Sequence, residues 1–180
     1  MKAIRLLALS LASALILMPS SALADDGVPI QAAFTVTATS MPNTGGVTYC
    51  GGPALPLTVE AKGSGFSSLG ALSLSLQKTI SVPGAMHGCL TLTAPNGDTL
   101  YATYDGNESA PDAHGFISAT GTLIFTGGTG RFQGGSGSAT FTGTFLGLYP
   151  QSSFIGGTSS PLQVSAYYVI QGRISLRGGD

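Results

Sequence analysis

The sequence predicts an all-β fold: a single antiparallel barrel of about eight strands, with a two-sheet β-sandwich as the alternative. Three observations carry this expectation. Apolar and hydroxylic residues alternate in steps of two along most of the chain, as in Phe34-Thr35-Val36-Thr37-Ala38-Thr39, which is strand periodicity. The 27 glycines and 10 prolines interrupt every apolar stretch beyond the N-terminal one, so helical spacing nowhere runs through ten residues and βαβ architecture is excluded. Charged residues make up only 8%, against about 25% in a typical soluble domain, with Lys+Arg 7 and Asp+Glu 8 nearly balanced. That balance excludes a basic nucleic-acid binder, an acidic solvating tail and a bundle of charge-faced helices.

Taken from the N-terminus, Lys2 and Arg5 precede an uncharged apolar run from Leu6 to Met18, then Pro19 and the small-x-small triplet Ala22-Leu23-Ala24. This is the pattern of a signal peptide over residues 1–24, cleaved after Ala24, and it predicts export to the periplasm or the exterior. The competing reading, a membrane anchor, needs about 20 apolar residues, and this run is shorter. No later run is long enough to span. Residues 25–33 read as a short leader and 34–180 as one barrel domain.

Alternation begins at Phe34 and recurs at Leu57–Ala61, Leu72–Leu76, Leu90–Ala94, Leu100–Tyr104, Phe116–Phe125, Ala139–Phe145 and Val164–Leu176. Between the fourth and fifth of these eight strands, Asn96-Gly97 is expected to supply two positive-φ positions of a tight hairpin. An even number of consecutive antiparallel strands can hide its edges by closing on itself, which favours the barrel. Longer irregular pieces at 40–56, 105–114 and 148–162 are rim loops, where sites concentrate.

Cys50 and Cys89 are the two cysteines. In an exported chain an even pair reads first as a disulfide, and closing a loop of about 40 residues contributes about 4 kcal/mol on the chain-entropy model. Two buried free thiols are the other reading, since spacing alone does not bring the two Cα atoms together.

Three stretches carry a family resemblance: Lys62-Gly63-Ser64-Gly65 through Leu69-Gly70, then Ala94 to Tyr104, then Thr126-Gly127-Gly128-Thr129-Gly130-Arg131-Phe132-Gln133-Gly134. Over roughly residues 57–146 the chain resembles bacterial secreted proteins with an allene oxide cyclase-like barrel. The Gly-Gly-Thr-Gly-Arg-Phe turn is also similar to that of dirigent proteins. The resemblance implies that this turn joins adjacent strands, with Gly127, Gly128 and Gly130 as scaffold and Phe132 packed inward. It also implies a barrel that takes hydrophobic or aromatic ligands, although the catalytic acids and bases of those enzymes do not map onto positions here.

Candidate chemistry is sparse. Gly127-Gly128-Thr129-Gly130 lacks the Gly-Lys-Ser/Thr and the following helix of a phosphate loop, and neither Ser64 nor Ser136 sits in a nucleophile elbow. His87 and His114 are too few and too far apart in sequence for a zinc site, and no cofactor motif is present. Asp105, Asn107, Glu108 and Asp112 are expected to share one solvated loop, oxygen-rich but without EF-hand spacing. Glu60, Arg131 and Arg173 are charges in or beside strands. Glu60 alternates with Val59 and Ala61 and reads as exterior; were it inward with Tyr104 or Tyr168, the two would form an acid/base pair in an apolar pocket. Three functions follow as expectations: an exported barrel binding a small apolar ligand or a partner, an isomerase or cyclase acting on a lipid-derived or phenolic compound, or a module that self-associates through exposed strand edges, with homo-oligomers left open.

Overall fold

A computed structural model of the chain describes residues 27–81, 83–146 and 162–176. The expected signal peptide with its cleavage after Ala24, and all but the last residue of the irregular piece expected at 148–162, lie outside the described residues. Eight antiparallel strands run β1 Val28–Pro42, β2 Leu57–Ser67, β3 Gly70–Ile80, β4 Gly84–Thr93, β5 Thr99–Glu108, β6 Phe116–Gly128, β7 Ser136–Leu146 and β8 Leu162–Ser175. Each pairs with its sequence neighbour, and β8 returns to β1 over Val28↔Ile174 to Ser40↔Leu162, closing the barrel. The sandwich alternative is therefore not the fold. Closure also removes the free strand edges that self-association through edges would need.

Alternation explains the layering. Ile30, Phe34 and Val36 of β1, Leu72, Leu74 and Leu76 of β3, and Ile117, Leu123 and Phe125 of β6 all point inward and are buried, while Thr35, Thr37 and the outward residues of β6 face solvent. Apolar inside and hydroxylic outside is the reverse of a barrel whose outer band meets lipid. Eight strands enclose just enough space for side chains to fill, so the core is the barrel interior itself. Glycines on the inner face make that filling fit. Gly143 lies directly across from Tyr168, and a β-carbon there would stand 2.4 Å from the Tyr168 ring.

Three expectations about local structure need correction. The first strand starts at Val28 and not at Phe34, because Ile30 and Ala32 continue the inward row and pair with β8. The turn at Pro95–Gly97 has positive φ only at Gly97, 91°. Gly97 N–H donates to Ala94 O at 2.9 Å and Ala94 N–H to Asp98 O at 2.8 Å, so three residues form the loop, with Pro95 suited to the second position of a type I turn. The stretch 105–108 is not loop but the C-terminal end of strand β5, whose alternation carries Glu108 into the interior.

The two ends of the barrel differ. Short turns at 68–69, 94–98 and 129–135 occupy one end, and the connections 43–56 and 109–115 the other. At the first end Gly130 has φ 54°, and the Asp98 carboxylate fills the space a side chain would need, 1.8 Å from an added β-carbon. Asp98 accepts from the Asn96 amide at 2.8 Å and from Arg131 N–H at 3.2 Å, and these two bonds hold its carboxyl below the usual carboxylate range. The backbone N–H groups of Thr129, Arg131, Phe132 and Gln133 are thereby committed within the turns, leaving no cradle for an anion.

At the other end Cys50 and Cys89 form the expected disulfide, with Cα atoms 5.9 Å apart. It ties the 43–56 connection onto the outer wall of β3 and β4. Thr79 Oγ1 donates to Pro53 O at 2.7 Å beneath that connection, and Thr79 is buried although it points outward. Replacing both cysteines by serine is expected to lower unfolding stability by about 2–4 kcal/mol, read as a fall in denaturant midpoint. A double variant as stable as the parent would mean that the clamp contributes nothing.

Candidate functional site

Continuing the inward row of β3 past Leu72, Leu74 and Leu76 puts Lys78 inside the barrel, and continuing that of β5 past Leu100, Ala102 and Tyr104 puts Glu108 there too. Both are buried, and Lys78 Nζ donates to Glu108 Oε1 in a short ion pair, with Met86 Sδ 3.6 Å from the ammonium. Gly88 faces Lys78 on one side and Tyr104 on the other; a β-carbon at 88 would come within 2.7 Å of the lysine stem. That small residue is what admits a long cationic side chain into an interior filled elsewhere by Leu and Phe.

Two tyrosines complete the cluster. Tyr104 stacks edge-on against Phe141 with ring centroids 5.6 Å apart, and Phe141 in turn meets Tyr168 at 6.3 Å. Tyr104 Oη and Ser40 Oγ are buried and make no hydrogen bond among the described residues. Each borders an interior cavity: about 30 Å³ beside Tyr104 and about 20 Å³ beside Ser40, with Lys78 and Tyr168 lining both. Spaces of that size fall far short of the roughly 300–1,000 Å³ of a small-molecule pocket.

Electrostatics follow from burial. Desolvation pulls the Lys78 ammonium down, and the Tyr168, Glu108 and Tyr104 oxygens more than reverse it, so its pKa stands above the ordinary lysine range. Desolvation raises both phenols above the ordinary tyrosine value, with Lys78 opposing it in each case. Protons are therefore held more tightly in the folded than in the unfolded chain, and this contribution is complete below about pH 10 and lost as pH rises beyond it. Absorbance at 295 nm during alkaline titration is expected to show at least two of the six tyrosines ionising only together with unfolding. Six phenols titrating smoothly near pH 10 in a folded chain would contradict the cluster.

Most residues singled out from the sequence lie elsewhere. Glu60 is exposed on the outer wall, where its Oε1 accepts from Gln77 Nε2 at 3.2 Å. Its exterior reading holds, and the inward acid/base group built on it does not. Tyr104 and Tyr168 are inside, but their carboxylate is Glu108. Lys78 and Glu108 were missed because the predicted strands stopped at Leu76 and Tyr104; carrying the period-two pattern to each strand's end finds both. Asp105, Glu108 and Asp112 separate to the outer wall, the interior and a loop, and among the described residues no three His, Cys, Asp or Glu gather as a metal site. His87 Nδ1 lies 2.6 Å from Asp105 Oδ1 beneath the disulfide-tied connection, and His114 is exposed in the 109–115 turn. Arg131 stacks 4.7 Å over the Phe132 ring, and Arg173 donates to Gly27 O at 2.8 Å.

The outer wall holds a second candidate. Phe66 on β2 is 79% exposed and Tyr167 on β8 52% exposed, a large apolar presentation for a wall made mostly of Ser and Thr. Register sets them diagonally across β1: Ala33 is opposite Phe66, and Thr35 is opposite both Ser64 and Tyr167. Shallow grooves of about 460 and 400 Å³ adjoin the two rings. Comparisons with protein-family models, curated proteins and solved structures give no match. Roles in this chain accordingly rest on its own geometry.

Proposed function

We propose that this chain is an exported, disulfide-clamped β-barrel that binds a ligand or partner on its outer wall, at the Phe66–Tyr167 face. The exposure of Phe66 beside the two grooves carries the reading, because an aromatic ring left in water on a closed barrel serves no packing role. The interior supports the other half of the argument: among the described residues its cavities of about 30 and 20 Å³ are too small for a small apolar ligand. Export draws support from the N-terminal pattern and from the disulfide, a bond of oxidising compartments. Under the resemblance to secreted allene oxide cyclase-like barrels, the shared scaffold would here be used from the outside.

The test is a pair of measurements. Non-denaturing mass spectrometry of the exported protein is expected to give the disulfide-bonded chain with no retained small molecule. Phe66→Ser and Tyr167→Ser are expected to keep stability within about 0.5 kcal/mol of the parent, as exposed positions do. A retained apolar ligand, or large destabilisation by either change, overturns the reading.

A second reading is favoured by one observation, the unpartnered Tyr104 hydroxyl next to a buried carboxylate and ammonium. An isomerase or cyclase working on a lipid-derived or phenolic compound would use Glu108, Lys78 and the two tyrosines, after an opening of the barrel by about tenfold in volume. Saturable uptake of an apolar fluorescent probe that is lost in Tyr104→Phe would support it, and no uptake would remove it.

A further inference from the structure

We infer that the Phe66–Tyr167 face is a binding site for a neutral carbohydrate chain. The inference rests on the outer-wall reading above and names the chemistry of its ligand. Two aromatic rings are held on a rigid wall with only the small Ala33 and Thr35 between them. Two strand spacings across and two residues along put their Cα atoms roughly 12 Å apart, about the span of two or three linked sugar rings. A sugar ring presents an apolar face of C–H groups to an aromatic ring and hydroxyl groups at its rim. It therefore asks for stacking platforms bordered by neutral hydrogen-bonding groups.

The borders have that chemistry. None of the residues lining the two grooves carries a charge. Lys62 on β2 and Arg173 on β8 lie along the same strands but outside both grooves. The Ser67, Ser68 and Ser73 hydroxyls are spent on backbone carbonyls. Gln31, Gln171, Thr35 and Ser64 remain to offer amide and hydroxyl groups, each both donor and acceptor. A charged partner would find no counter-ion in the grooves, and a lipid surface would strand those polar groups without water. A neutral polyhydroxylated ligand satisfies rings and rim together. Strand-borne side chains on a closed barrel are also pre-organised, which limits the ordering cost of binding.

The experiment uses the full exported chain against an array of neutral hexose and N-acetylhexosamine oligosaccharides, followed by titration calorimetry of any that bind. The expected result is weak binding of a neutral chain of two or more units, reduced about tenfold or more in Phe66→Ala and in Tyr167→Ala. It should be retained in Phe66→Tyr and altered less than about twofold by raising salt, because no ion pair is involved. Thermal unfolding of each variant runs alongside. No neutral oligosaccharide binding at millimolar concentration overturns the carbohydrate inference, as does binding that survives both alanine changes or that needs an anionic sugar. If the chain instead dimerises or binds uncharged phospholipid vesicles through Phe66, the inference fails while the outer-wall reading stands. If both alanine variants unfold, the two fail together.

Discussion

Lys78→Met is expected to lower unfolding stability by about 3–5 kcal/mol, and Glu108→Leu by a similar amount. Each single change leaves one charge of the buried pair without its partner, in an interior whose other walls are Leu, Phe, Met and the two tyrosines. The double change Lys78→Met/Glu108→Leu removes both charges and both desolvation penalties. It is expected to recover most of the loss or to exceed the parent by about 1–4 kcal/mol, since well-packed apolar replacements of buried ion pairs are often neutral or stabilising. Urea denaturation of the four proteins, with comparable slopes, gives the coupling directly. Single variants within about 1 kcal/mol of the parent would mean that water reaches the pair and that the interior is more open than its cavities indicate.

Phe132→Ala is expected to cost about 3–5 kcal/mol as a large-to-small change in the core. The ring is buried at the end of the barrel closed by the short turns, reached through the 3-10 turn Gly130–Phe132 that bridges β6 and β7. Gly130→Val should add to the case from the backbone side: it forces a branched residue into φ 54° and drives its β-carbon into the Asp98 carboxylate, breaking the link between the two hairpin turns. A ligand loop would behave differently, keeping its stability and losing only affinity. A denaturation midpoint for Phe132→Ala equal to that of the parent would show that the Thr126–Phe132 segment is not the scaffold it is taken for.

Period-two alternation pointed to an all-β chain of about eight strands and to most of the inward residues, because one face of every strand must be apolar and the other must meet water, while the choice between barrel and sandwich waited on closure. The same rule placed Glu60 outside from its neighbours Val59 and Ala61 alone. The cysteine pair was legible as a candidate bridge, but its Cα separation of 5.9 Å depends on the 43–56 connection folding back over β4, a long-range event with no local signature. Lys78 and Glu108 lie 30 residues apart in a chain where each looks like a solvated end of a strand. Only the stacking of β3, β4 and β5, with Gly88 between, turns them into a buried pair. Phe66 and Tyr167 are about 100 residues apart and become neighbours only because β8 returns to β1. Alternation along a strand is local and can be read from the chain. Which residues meet across the wall depends on closure and register, and these are properties of all eight strands together.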